Sequence, residues 1–347
     1  MTVGLSTVWE VAERDYGLKP ESIVPLRSGR VNDSFRVVAA GSSFCLQRLN
    51  DFFAGYPSLG DNWSRAQKAF GSAGLPFPAI IPDLTGEFIL RSSDGAYRLT
   101  QWLPGRIPSA GQKDEAYLAG QALGLAHQAL NVPSPLADLE PLPRGWEFTN
   151  QRLPDPEDFD DIFVMYRRHP HLGDLADLLK KASQAAWELP KRPSFSRVFL
   201  ARDFVIHADP KRENFLINGQ NMALVDWDTI GYGDPLVDLG ELCRSFAVLK
   251  PDPAFQLDLA VAATKGYREK GLDLGDRIPL LLPAVIRALS LALARRYLID
   301  ALAEVYFSWD KELFESLFEQ NRQRATGLLC LAEELREREM ELTRAFE

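Results

Sequence analysis

The chain has 347 residues, 46% of them hydrophobic and 25% charged, with a formal net charge of −9. That composition suits a folded protein with a sizeable core, built as one large bilobal unit or two domains. The acidic balance tells against a nucleic-acid partner, whose binding surface would be basic. The three scattered cysteines, Cys45, Cys243 and Cys330, form neither a disulfide framework nor a metal-ligand spacing, as expected of a cytoplasmic protein.

Met1-Thr-Val-Gly-Leu5 has no basic region and no long apolar stretch, so no signal peptide is expected. A short helix is expected over 7–17. From Ile23 to Leu103 the pattern is that of strands. Phe35–Val38 and Phe44–Leu49 flank Ala40-Gly-Ser-Ser43, and Glu87–Leu90 and Tyr97–Trp102 flank Ser92-Ser-Asp-Gly95, so each pair predicts a hairpin. Between the pairs, Asp61–Phe70 reads as one helix, ended by Gly71 and Gly74. The result is a small antiparallel sheet carrying a helix.

Pro104-Gly105 marks the boundary between a nucleotide-binding lobe over 1–103 and a larger, mainly helical lobe over 104–347. Helical spacing recurs over Ala116–Leu130, Asp174–Trp187, Phe255–Lys270, Leu280–Leu302 and Leu313–Leu335. Residues 132–157, rich in proline and acids, are expected as an exposed connection. The most apolar region, Ile278–Leu293, contains Arg287 and prolines and is too interrupted for a membrane span, so it predicts a buried helix and no membrane partner.

The chemistry concentrates in 207–238. His207-Ala-Asp209 is followed by Asn214, then an apolar run to Asp226-Trp-Asp228. Phe215-Leu-Ile217 and Ala223-Leu-Val225 flank Asn218-Gly219, a hairpin-type turn. Asp209 and Asn214 thus lie on a loop, and the hairpin brings Asp226 back toward them. Asp, Asn five residues on and Asp twelve beyond is the layout of a phosphoryl-transfer site. One carboxylate takes the proton of an attacking hydroxyl, and the Asn and the other carboxylate hold Mg²⁺ on nucleotide phosphates. A metallohydrolase built on His207 and Asp209 would need further ligands, and His127, His169 and His171 lack ligand-like spacing.

These segments resemble the aminoglycoside phosphotransferase and choline kinase family. His207-Ala-Asp209-(four residues)-Asn214 is similar to its H-G-D-x-x-x-x-N loop, Val225-Asp226-Trp-Asp228 to its I-D-W-E/D segment, and Gly233-Asp234-Pro-x-x-Asp238-Leu to its G-D-P-x-x-D-L/F signature. Tyr97–Gly105 is similar to its inter-lobe linker. The best match is the bacterial N-acetylhexosamine 1-kinase-like branch. Gly29-Arg-Val-Asn32-Asp-Ser34-Phe35, Asp226-Trp-Asp228-Thr-Ile230 and Arg296-Tyr-Leu-Ile-Asp300 with Tyr306-Phe307 carry that resemblance.

The resemblance implies an α+β, bilobal protein-kinase-like fold and an ATP- and Mg²⁺-dependent kinase. Its acceptor is a small-molecule hydroxyl, with a sugar or amino sugar favoured. Choline-, homoserine- and aminoglycoside-type acceptors stay open, as does a non-catalytic nucleotide-binding relative. Asp209 is the expected base, Asn214 and Asp226 the metal ligands, and His207 and Asp238 structural supports of the loop. Gly29, Arg30, Asn32 and Ser34 form the candidate phosphate cradle, and the Gln101 and Leu103 backbone the adenine contacts. Asp228 either assists at the metal or faces the acceptor. Arg296 either pairs with Asp300 or lines the acceptor pocket.

One position departs from the family pattern. Where such kinases carry a lysine or arginine that pairs the phosphates with a helix glutamate, this chain has Gln47. Arg48 follows, and strand alternation points it the other way. The facing helix offers Arg65, Gln67 and Lys68 and no glutamate. Either Gln47 donates to a phosphate or a bulge turns Arg48 inward.

Overall fold

The computed structural model describes residues 3–26, 31–140, 153–248 and 254–347. A first helix, α1 (Leu5–Arg14), precedes the strands β1 (Pro20–Leu26), β2 (Asp33–Ala39) and β3 (Ser42–Leu49). After a short α2 (Asp51–Ala54) and α3 (Leu59–Ser72), the chain adds β4 (Ile80–Ile81), β5 (Leu90–Ser92) and β6 (Gly95–Gln101). These strands form one antiparallel sheet in the order β1-β2-β3-β6-β4, with β5 also paired to β6. Both predicted hairpins are present, although Glu87–Ile89 lies outside β5.

Period-two alternation gives the sheet two different faces. Phe35, Val37, Leu46, Tyr97 and Leu99 pack under Val8, Val11, Ala12 and Tyr16 as a small separate core. The residues between them, Gln47 and Arg98, point to the opposite face and stand directly across from one another in the β3–β6 register.

The rest of the chain is mainly helical. It comprises α4 (Lys113–Asn131), α5 (Pro156–Met165), α6 (Leu172–Trp187), α7 (Pro193–Leu200), α8 (Pro235–Ala247), α9 (Leu257–Lys270), α10 (Arg277–Ala303), α11 (Leu317–Glu337) and α12 (Glu339–Ala345). Helices α4 and α9 touch backbone to backbone. A Cβ at Gly120 would lie 1.9 Å from the Ala263 carbonyl oxygen, so no other residue fits there. Helix α10 is longer than its predicted span. It is long and apolar enough to cross a membrane by composition, yet 83% of its most apolar window is buried inside the protein. Its Arg287 is met by the Glu188 carboxylate at 3.3 Å and by the Ala185 carbonyl. The expected exposed connection ends early, because α5 starts at Pro156 behind an Asp155 capping box.

Between the helices lie two small hairpin-like pairs. Strand β7 (Phe204–Ile206) pairs with β10 (Gly231–Gly233), and β8 (Phe215–Asn218) with β9 (Asn221–Leu224). The second pair turns at Gly219, whose φ of +62° suits glycine. This hairpin positions the candidate site.

Candidate active site

Asp209 follows β7 on a loop whose geometry is set from helix α8. The Asp238 carboxylate accepts the N–H of His207 at 2.7 Å and of Ala208 at 2.8 Å, and it meets His127 Nε2 at 2.9 Å. The G-D-P-x-x-D pattern has a local reason. Gly233 presses on Ile206, where a Cβ would lie 2.4 Å from Cδ1. Asp234 caps α8 by accepting from Leu236 N, and Pro235 takes the first helical position, where its missing N–H costs nothing. Asp238, one turn on, then reaches back to the loop. His207 is fully buried. Its Nδ1 lies 3.2 Å from Asp209 N, its Nε2 lies 3.0 Å from the Val225 carbonyl, and its ring packs on Trp227. Burial holds its pKa below the ordinary 6.5. His207 and Asp238 thus both hold the backbone of the loop that carries Asp209.

Asn214 donates from Nδ2 to the Asp209 carbonyl at 2.8 Å and approaches the Asp209 carboxylate at 3.4 Å. Asp226 leaves the end of β9 in a left-handed conformation, φ 68° and ψ 63°, which aspartate tolerates. Burial, then the neighbouring Asp228 and Asp209 charges, push the Asp226 carboxyl up to about 6, against the pull of Lys211 and Arg98. Asp209 and Asn214 thus touch, and Asp226 lies within electrostatic reach of Asp209, next to Val225, whose N–H the Asn214 carbonyl accepts at 2.8 Å.

The residues fit a hard divalent cation. Asn214 uses its amide nitrogen on Asp209 and keeps its oxygen, and no donor hydrogen-bonds the Asp226 carboxylate among the described residues. No group of three His, Cys, Asp or Glu able to hold a metal is found among the described residues. Mg²⁺ takes one or two carboxylates and completes its shell with substrate phosphates and water, a set that the Asp226 carboxylate and the Asn214 amide oxygen would suit.

Two cations in the site went unrecognised in the sequence. Lys211 Nζ is ion-paired with Asp209. Burial works against its charge, but Asp209 and Asp226 outweigh it and hold the ammonium above its ordinary range. Arg98, on β6, is fully buried. It is ion-paired with Asp228, donates to Gln47 Oε1 at 2.7 Å, and lies 3.9 Å from the Trp63 ring centroid. Gln47 in turn donates to Ser34 Oγ at 3.0 Å.

Gln47 therefore has both ends of its amide engaged, and the positive charge at this point of the sheet belongs to Arg98. Arg48 points away, as alternation requires, donating to the Asp94 carbonyl and pairing loosely with Asp33. Helix α3 contributes the Trp63 ring in place of a carboxylate. Its Arg65 and Gln67 are engaged with the Asp138 carbonyl and Ile80 N, and Lys68 is exposed.

Of the phosphate cradle, Gly29 and Arg30 lie outside the described residues. Asn32 donates to Asp228 Oδ2 at 3.1 Å and accepts from Asn50 N at 2.9 Å. Asp228 is thus gripped by Arg98 and Asn32 from the sheet side. Gln101 N donates to the Ala79 carbonyl at 2.8 Å. Trp102 lies under Arg36, its ring centroid 4.9 Å from the guanidinium. The Asp300 carboxylate caps the following turn by accepting from Val305, Tyr306 and Phe307 N and from Asn321 Nδ2. Arg296 lies near Tyr306, where its charge acts on a phenol that burial has pushed up. Tyr232 donates to the Leu136 carbonyl and so serves the scaffold.

A family model described as "APH: Phosphotransferase enzyme family" matches residues 22–272, which span both the sheet and the loop of Asp209. The chain belongs to this phosphotransferase family. As such it is a small-molecule phosphotransferase on a protein-kinase-like fold. No curated protein matches it. Among solved structures, this family member is similar to a microcompartment-associated aminopropanol kinase at 17% identity and TM-score 0.65, covering 96% of this chain and 98% of that one. It is similar to an amicoumacin kinase in complex with AMP-PNP, Ca²⁺ and Ami at 14% identity and TM-score 0.61, covering 93% of each chain. An aminoglycoside phosphotransferase from Alicyclobacillus acidocaldarius follows at 14% identity and TM-score 0.58, covering 94% of each. None of the three is an N-acetylhexosamine kinase.

Proposed function

We propose that this phosphotransferase moves the γ-phosphoryl group of ATP, with Mg²⁺, to a hydroxyl of a small molecule. A sugar or amino sugar is favoured, in keeping with the resemblance to the N-acetylhexosamine 1-kinase-like branch. Residues 1–103 would bind the nucleotide, and 104–347 would carry the catalytic loop and the acceptor. The observation that carries this reading is the meeting of Asp209, Asn214 and Asp226 beneath a sheet that presents Arg98.

Asp209 orients the acceptor hydroxyl and takes its proton late in the transfer, since a loose transition state asks little of the nucleophile. Lys211 keeps Asp209 in place. Asn214 and Asp226 hold the Mg²⁺, which neutralises charge on the phosphates. Arg98 supplies the fixed cation that the family pattern assigns to the strand of Gln47, and Asp228 stands in for the absent helix glutamate. Gln47, Ser34 and Asn32 position that pair, and the Gln101 carbonyl and Leu103 N–H meet the adenine.

The test is Asp209→Asn, which keeps shape and removes the base. Phosphoryl transfer should nearly vanish while ATP binding stays within a few fold. Turnover within about tenfold of wild type, roughly 1.4 kcal/mol of barrier, would remove Asp209 from the role.

A further inference from the structure

We propose that His127 is a positioning residue of the phosphoryl transfer: held in one tautomer by Tyr267, it fixes Asp238 and, through it, the loop that carries Asp209. This rests on the kinase reading above and extends its machinery to helices α4 and α9.

Helix α4 reaches the loop with two side chains one turn apart, His127 and Asn131, which share a face. Asn131 brackets Val205 in β7, accepting its N–H at 2.8 Å and donating to its carbonyl at 2.9 Å. His127 Nε2 lies 2.9 Å from Asp238 Oδ2, and Asp238 takes the N–H groups of His207 and Ala208. The stretch from β7 to Asp209 is thus tied to α4 twice, directly at Val205 and through Asp238 at residues 207 and 208. His127, Asp238 and Tyr267 are all 0% exposed, so bulk water does not compete for these bonds.

The hydrogen positions follow from the partners. His127 Nδ1 lies 2.8 Å from the Tyr267 hydroxyl. Burial holds the phenol above its ordinary range, so it keeps its proton, and its oxygen takes a hydrogen bond from the Leu272 backbone. Among the described residues, Nδ1 is the acceptor in reach of that proton. A proton on Nδ1 would leave the buried O–H without a partner, at the cost of a lost hydrogen bond. Nδ1 therefore carries the lone pair and Nε2 the proton, which points at Asp238. Without the phenol, the ring is free to turn a bare Nε2 toward the carboxylate, which repels it.

The main chain sets the spacing of the pair. A Cβ at Gly266, next to Tyr267, would lie 2.0 Å from the Tyr117 carbonyl oxygen, and one at Gly124 would lie 2.6 Å from Gly271 N. Gln128 Nε2 donates to the Gly271 carbonyl at 2.8 Å. Losing the Nε2–H loosens Asp238 and with it the backbone that aims Asp209. A base misplaced by about 1 Å costs up to about a hundredfold in rate. Arg98 in the cleft is held by other partners, so ATP binding should change little.

Three variants test this. His127→Gln places an amide N–H near Nε2 and keeps a donor for Asp238. His127→Asn is shorter, and its amide stops near the place of Nδ1. Both bury one amide, so a merely structural role would affect them alike. Turnover is read as ADP release from ATP and Mg²⁺ with glucose, glucosamine, N-acetylglucosamine and water alone. His127→Asn should lower kcat about tenfold or more with the KM for ATP within about threefold of wild type, and His127→Gln should keep kcat within about threefold. Amide hydrogen exchange needs no turnover: the Ala208 N–H should exchange about tenfold faster in His127→Asn than in wild type or His127→Gln. Nitrogen NMR of histidine-labelled protein should place the His127 proton on Nε2, and Tyr267→Phe should abolish that pattern. The proposal is overturned by a proton on Nδ1 in the wild type, by an unchanged tautomer in Tyr267→Phe, by equal kcat for the two His127 variants, or by unchanged Ala208 exchange in His127→Asn. A wild-type protein that neither binds ATP with Mg²⁺ nor releases ADP would instead tell against the kinase reading, and the exchange and tautomer readouts would still decide the role of His127.

Discussion

Arg98→Gln removes the charge that the sheet brings to the cleft, and its consequences separate into two parts. The first is structural. Asp228, 2% exposed, would keep only Asn32 as a partner among the described residues. Leaving one member of a buried ion pair alone costs about 3–5 kcal/mol. The second is functional. A charge-assisted contact to phosphate contributes about 1.5–3 kcal/mol, so ATP and ADP should bind roughly ten- to a hundredfold more weakly. The double variant Arg98→Gln/Asp228→Asn replaces the ion pair by two amides and should recover most of the stability. It should not recover the phosphates. Calorimetric titration with adenosine and with ADP reads the difference, because adenosine has no phosphate to lose. Equal weakening of both ligands would refute the assignment. So would a double variant that binds ADP within about threefold of wild type.

Further expectations follow from the same geometry. Asp226→Ala should abolish the Mg²⁺ dependence of ATP binding together with turnover, and Asn214→Ala should do so less completely because a neutral oxygen offsets less charge; titration with and without Mg²⁺ decides it, and wild-type binding indifferent to Mg²⁺ would contradict the metal assignment. Ala208 has φ +70°, where an L-residue is strained, so Ala208→Gly should raise the melting temperature by about one to three degrees by calorimetry, with turnover preserved. His207, held neutral by burial below its ordinary 6.5, binds a proton more readily when unfolded. Its contribution is therefore complete above about pH 6.5 and is lost as the pH falls toward the lowered folded value. Urea titrations across that window should show a shallower decline for His207→Gln than for wild type.

What was legible in the sequence was local. The Asp209–Asn214 loop and the hairpin that returns Asp226 are contiguous, and turn residues mark them. Arg98 was not legible. Its role depends on facing Gln47 across the β3–β6 register, 51 residues away in the chain, and on Trp63 occupying the helix position of an acid. Alternation said only that Arg98 and Tyr97 face opposite ways. Lys211 was in plain view, two residues after Asp209, but a lysine in a polar loop carries no signal of its own until its ammonium is seen on the carboxylate. Two helices had readable signals that went unused. Asp155 followed by Pro156 marks the start of α5, and Pro193 marks the start of α7.

The two left-handed residues of the site have different origins. Asp226 can adopt φ 68° because a short polar side chain tolerates that region, and the twist turns its carboxylate from the end of β9 toward Asp209. Ala208 has no such tolerance, and its conformation must be imposed from outside at a cost of about 1–2 kcal/mol. The source is Asp238, whose oxygens take the N–H groups of His207 and Ala208 while His127, itself held by Tyr267 at 2.8 Å, fixes the carboxylate. Two backbone hydrogen bonds to a charged acceptor outweigh one strained residue. The loop is therefore strained at one point and clamped at the same point. That is why Asp238, the fourth residue of α8, sets the direction in which Asp209 faces.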